Sequence, residues 1–217
     1  MMLQPKLLLS SLLFLFTIGL GFGQKYQDFT AEEKALIGTD PSEVMRVFMK
    51  TNPADSLILN AMSLPIDPQD ELTARLAERM LLTVQDPAHQ GVGIAAPQVG
   101  INRHMIWVQR FDKEDQPFEL FINPEIIWAS ELLQKGPEGD LSFDERGMVV
   151  RYYVIQVEYY NLYGDLITEI LEGFTSVIFQ HELDHLYGML LTDRVESQQY
   201  LDYQKASEQT DLYFQLD

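Results

Sequence analysis

The chain has 217 residues, with 33 acidic side chains against 15 lysines and arginines, a formal net charge of -18, and no cysteine. That length suits one domain with extensions, and 46% hydrophobic residues can supply a core, which excludes wholesale disorder. The charge argues against nucleic acid and anionic lipid as partners, since both need a basic face. Without cysteine there are no disulfides, zinc fingers, iron–sulfur clusters or thiol nucleophiles.

Lys6 follows five uncharged residues, Leu7 to Leu20 is almost wholly apolar, and Gly21-Phe22-Gly23 puts small residues at -3 and -1 before Gln24. This is the layout of a secretory signal peptide over 1–23, so the expected product is exported, periplasmic or secreted. The apolar run of 14 residues is short for a bilayer span of roughly 20; an uncleaved anchor is the alternative. An N-terminal extension over 24–51 reads as a helical preface, Thr30 to Lys50, interrupted near Gly38 and Pro41, with Val44, Val47 and Phe48 at helical spacing. Pro53 to Pro68 reads as loop. Asp70 to Gln85 predicts an amphipathic helix, with Leu72, Leu76 and Met80 recurring at i+4. Strands are expected at Met105–Gln109 and Leu120–Asn123. A long β-rich run, Val149–Tyr160, is expected to form a hairpin with Leu166–Leu171. Phe174 to Tyr187 predicts a helix with Gly188 placed to cap it. From Val195 to Asp217 the chain is polar and acidic and reads as helical in part, with the acidic C-terminal tail bounded at 197–217. Strands followed by a late helix point to an α+β fold.

Three motifs carry chemistry. His181-Glu182-Leu183-Asp184-His185 matches H-E-x-x-H. Residues four apart share a helix face, so His181 and His185 can grip one metal ion, and Glu182 can take a proton from a water that the ion acidifies. A third ligand must come from elsewhere. Gly91-Val92-Gly93-Ile94-Ala95-Ala96-Pro97-Gln98 is not a phosphate loop, since G-x-G-x-x-G fails and no Walker lysine is present. Its small residues permit close backbone approach, an extended peptide could pair with such an edge, and Gln98 could donate its amide to a developing oxyanion. The bland alternative is a tight buried turn. Glu138-Gly139-Asp140-Leu141-Ser142 taken alone is a solvated acidic loop.

In this order, GVGIAAPQ, EGDLS and QHELDH resemble the three signatures of the peptide deformylases. The resemblance covers about Asn52 to Arg194, within a domain bounded at 52–196, and includes RYYVIQVEYYNLYGD and HLYGMLLTDR. It implies a deformylase-like α+β fold, antiparallel strands around a central helix bearing the histidines. It also implies metal ligands at His181 and His185, Glu182 as general acid/base, and Gln98 with the Leu141 N–H polarising the scissile carbonyl. Val92 and Gly93 would lie along the bound peptide, with Arg146 also touching it. Family members remove the formyl group from an N-terminal formyl-methionine and favour iron(II), though zinc and nickel also occupy such sites.

Two departures stand out. The family has Cys as third ligand where this chain has Asp140. A carboxylate is harder than a thiolate and reaches further from Cβ, so the loop must shift slightly. Two His and one carboxylate is nevertheless a metal set used by hydrolases and non-haem iron enzymes. The second departure is the signal peptide: formylated chains arise in the cytosol, and an exported copy would meet exported or imported peptides. Both departures fit one cause, since thiolates oxidise outside the cytosol and a carboxylate does not. The sequence therefore leads to a metal-dependent hydrolase of N-terminal formyl or small acyl amides, with one divalent ion held by Asp140, His181 and His185. The rival is a non-catalytic peptide-binding protein on the same scaffold.

Overall fold

The computed structural model describes residues 26–38, 40 and 42–216, so the expected signal peptide lies outside the described residues. Helix α1 (Ala31–Ile37) starts at a reciprocal capping box between Thr30 and Glu33 and stops at Gly38. Residues 44–49 then form no regular secondary structure, not the helix expected. The cause is tertiary: the Met45 N–H donates to Thr83 Oγ1 and the Phe48 N–H to the Gln98 carbonyl, each at 2.8 Å. Met45, Val47 and Phe48 are buried while Val44 and Arg46 stay outside, a pattern that does not follow a helical face. The loop expected at Pro53–Pro68 contains helix α2 (Pro53–Leu59). Its start is signalled by Asn52, whose side chain accepts from the Ala54 and Asp55 N–H groups, with proline at the first helical position.

Helix α3 (Glu71–Gln85), capped by Asp70, matches the periodicity. It leads into β1 (Gly93–Ala95), a 3-10 turn (Ala96–Val99) and β2 (Met105–Gln109). Next come β3 (Phe118–Ala129), β4 (Leu133–Asp140), β5 (Phe143–Tyr152), β6 (Val154–Tyr160) and β7 (Leu166–Glu172). Helix α4 (Gly173–Leu186), α5 (Leu191–Gln198), β8 (Tyr203–Lys205) and β9 (Leu212–Gln215) complete the described chain. The strands form two antiparallel sheets, β1-β2-β3-β6-β7 and β5-β4-β9-β8. The run expected at 149–160 is thus divided at Tyr153 between the sheets; β6 and β7 make the expected hairpin, while Val149 to Tyr152 pair with β4. The tail is helical at its start, where α5 runs to Gln198, and strand-forming beyond, where β9 adds to the free edge of β4 through Leu133–Tyr213 and Gln134–Leu212.

Alternation along β1 and β2 explains why two helices clasp one sheet. Ile94 and Met105 face a core shared with Leu76, Met80 and Val84 of α3. Ala95, Ile106 and Val108 face the other way, against Ile178, Phe179 and Leu183 of α4. Helix α4 is therefore central, buried along most of its length. Among the described residues no helix is long and apolar enough to cross a membrane.

Candidate metal centre and peptide cleft

Beside α4 lies a cleft of about 510 Å³, lined among others by Val92, Gly93, Gln98, Leu141, Arg146 and Glu182. Helix α4 supplies His181, Glu182 and, one turn on, His185, all buried. Asp140 ends β4, where a register shift after Glu138 breaks the ladder to β5, and Leu141 stands on the turn between the two strands.

The Asp140 carboxylate faces the imidazoles. Its Oδ2 lies 3.4 Å from His185 Nε2 and 3.9 Å from His181 Nε2, and the side chain is 1% exposed. Oδ1 accepts from Gln98 Nε2 at 3.0 Å and from the Ser142 N–H at 2.8 Å. Among the described residues Oδ2 has no hydrogen-bond partner, nor does either ring nitrogen of His185. The ligand atoms of Asp140, His181 and His185 all lie within 4.8 Å of one another. Buried polar atoms without partners are costly. An anionic oxygen and two imidazole nitrogens converging this way fit one divalent cation.

His181 is oriented from behind. Its Nδ1 donates to Glu138 Oε2 at 3.0 Å, which leaves Nε2 toward the centre. Glu138 also accepts from Arg151 Nε and Nη2, each at 2.8 Å. Arg151 reaches Asp184 at 2.5 Å, and Asp184 is held in turn by Arg194. Burial opposes the charge on Glu138, but the hydrogen bonds from Arg151 and His181 prevail and hold its carboxyl at about 2. Burial likewise opposes a charged His181, yet Glu138, Glu182 and Asp140 raise it to about 9. Burial lowers His185. A cation would compete with the proton on His181.

Glu182 is 4% exposed, and its Oε2 has no partner among the described residues. Burial, reinforced by Asp140 and Glu138 against the opposing pull of His181, pushes its carboxyl up to about 8. Gly93 is what leaves it room: a Cβ there would sit 2.4 Å from Glu182 Oε1. Gln98 is 1% exposed, and its Oε1 accepts the Ala95 N–H at 2.9 Å, which fixes the amide with Nε2 toward Asp140. Strand β1 is an edge of its sheet, and Arg146 stands exposed on β5 at the rim of the cleft. All nine residues singled out from the sequence thus gather at this centre and cleft. Glu138, Arg151 and Asp184 were not singled out. No sequence signal marks Glu138 as buried, since its stretch reads as an acidic loop; the fold sets it two residues before Asp140 on β4, where it supplies the acceptor that a ligating imidazole needs for its second nitrogen.

An α+β scaffold whose central helix brings two histidines and a glutamate to one carboxylate defines a class, the metal-dependent hydrolases. Residues 48–200 match the family model for polypeptide deformylase, and the chain belongs to that family, as an amide-hydrolysing enzyme of a group that uses a divalent metal. It is 39% identical over 140 residues to the peptide deformylase of Thermotoga neapolitana, covering 64% of this chain and 82% of that one. Against the peptide deformylase of Halalkalibacterium halodurans the identity is 34% over 157 residues, with coverages of 67% and 86%. Among solved structures, a class I type b peptide deformylase from Acinetobacter baumannii bound to Met-Ala-Ser superimposes with a TM-score of 0.63 at 34% identity. That match covers 71% of this chain and 99% of the other.

Proposed function

We propose that the chain removes a formyl or similarly small acyl group from the N-terminus of peptides, with Asp140, His181 and His185 holding one divalent ion, iron(II) or zinc, nickel also being compatible. The observation that carries this reading is the unpartnered Asp140 Oδ2 facing both imidazoles, with the unpartnered, buried Glu182 beside it. When bound, the ion supplies Lewis-acid polarisation of the scissile carbonyl and a water acidic enough to attack near neutral pH. Glu182 takes the proton of that water and passes it to the departing amine as the C–N bond breaks, so that formate and a free N-terminus leave.

Gln98 Nε2 carries two hydrogens. One serves Asp140 Oδ1, and the other is free to join the Leu141 N–H on the oxyanion. The edge of β1 pairs with the extended peptide along Val92 and Gly93, and Arg146 contacts it at the rim. We also propose that residues 1–23 export the chain. Sequencing of the protein from its native host should find a start at or near Gln24, and a chain retaining Met1 in the cytosol would overturn that.

The hydrolase reading is tested by metal analysis of the purified mature chain with a formyl-methionyl peptide as substrate. One ion per chain with formate release is expected. A chain that binds the peptide but holds no metal and releases no formate would establish the binding-protein rival instead.

A further inference from the structure

The two oxygens of Asp140 have different surroundings. Oδ1 is saturated by the Gln98 amide and the Ser142 N–H, while Oδ2 faces the imidazoles with no hydrogen bond at all. Gln98 cannot turn its amide over without giving up the bond from the Ala95 N–H to Oε1. Its backbone is tied down as well, since the Gln98 carbonyl accepts the Phe48 N–H at 2.8 Å and the side chain is sealed from solvent. We infer that Gln98 is a positioning residue for the metal ligand Asp140, holding Oδ1 so that Oδ2 alone is presented to the ion.

This rests on the metal reading of the site and adds a role to an amide otherwise assigned to the oxyanion. The physical reason is rotational. Without the amide, Oδ1 keeps one donor, and the carboxylate gains freedom to twist about Cβ–Cγ, presenting both oxygens or neither. A cation would then have to order the ligand as it bound. One amide also spans two tasks, because the nitrogen that holds the ligand carries the second hydrogen aimed at substrate. Partners of this kind, behind a ligand, commonly change metal affinity by about 10–100-fold.

The test reads metal without substrate. Zinc affinity is measured by competition with a chromophoric chelator for the parent, Gln98→Met and His181→Ala, and the visible absorption of the cobalt(II) form is recorded. Gln98→Met keeps length and apolar bulk but donates nothing. It should bind zinc about 10–100-fold more weakly than the parent, and its cobalt bands should weaken as a second carboxylate oxygen enters the coordination sphere. Should Gln98→Met fail to fold, Gln98→Asn, which retracts the amide by one methylene, serves with the same expected loss. Zinc affinity within about threefold of the parent and unchanged cobalt bands in a folded Gln98 variant, with His181→Ala losing metal, would overturn this inference and leave the proposed function standing. Undiminished zinc binding by His181→Ala would instead overturn the metal reading and this inference with it.

Discussion

Glu182 is a liability to the metal-free chain and, in the proposed mechanism, the base that turnover needs. Its folded carboxyl titrates near 8, well above the ordinary value of 4.5, because burial disfavours its charge. A carboxyl raised in this way binds its proton more tightly in the folded state. Metal-free stability should therefore fall as pH rises from the unfolded value through about 8. Glu182→Gln removes that titration, so metal-free Glu182→Gln should gain stability over the parent between pH 5 and pH 8.5 in urea unfolding. Equal slopes against pH for the two proteins would show that the carboxyl is not held neutral. In the metal-loaded protein the same substitution should retain the ion and cut turnover by about 10²–10⁴-fold, since an amide cannot accept the proton. The spacing of His181, Glu182 and His185 was legible from sequence because a helix fixes which side chains share a face. Glu138 was not, because an acidic loop and a buried acceptor are written with the same letters. Only the fold brings Arg151 and His181 to it.

At the scale of elements, β1 and α4 touch through Gly93 and Glu182. Gly93→Ala should fold and bind metal, but its Cβ, 2.4 Å from Glu182 Oε1, must push that carboxylate aside. Displacements of about 1 Å in catalytic groups cost on the order of 10²-fold, so kcat should fall by that amount while metal content stays. Unaltered kcat would mean that Glu182 has freedom the packing does not suggest.

The open edge of β5 is covered by side-chain amides in place of a strand. Gln180 exchanges hydrogen bonds with the Tyr152 N–H and carbonyl, and Gln198 does the same at Val150. Gln198→Ala strands both buried groups at Val150 and should cost about 1–3 kcal/mol in urea unfolding. Helix α3 was legible in the sequence because its apolar periodicity is strong, α4 because the His181–His185 spacing and the Gly188 cap mark a helix, and β2 because Met105 to Val108 is an apolar run. Strand β4 was not, since Glu138-Gly139-Asp140-Leu141-Ser142 reads as an acidic loop, and it is pairing with β5 from Leu133 to Asp140, and with β9 at Leu133 and Gln134, that makes it a strand. The division of β5 from β6 was equally hidden, because Tyr153 is no breaker; its N–H and carbonyl leave the ladder for Leu132 and Gly173.

The whole molecule is the family's domain with additions at both ends. Ahead of residue 48, where the family match begins, the N-terminal extension is clasped by buried arginines. Arg103, 2% exposed, donates to the Gln27 and Asp28 carbonyls and to both oxygens of Glu33. Arg103→Met should cost about 3–5 kcal/mol, as a buried charged partner is lost, and a loss below 1 kcal/mol would show the clasp to be ornamental. The extension then hands its hydrogen bonds to the site itself, from Phe48 to Gln98 and from Lys50 to the Ser142 carbonyl. Behind the site, β9 braces β4, the strand that ends in Asp140. These additions bear on the proposed role of Asp140 as a metal ligand, because that role requires the loop carrying it to be held.

The most direct test of that centre is formate release from a formyl-methionyl peptide by the mature chain, loaded with iron(II) or zinc, beside Asp140→Asn. The parent should turn over with one ion per chain. Asp140→Asn, which has lost the charge that offsets the ion, should lose metal and turnover together. Turnover by Asp140→Asn at the parent's rate and metal content, or a metal-loaded structure with Asp140 turned to solvent, would contradict it.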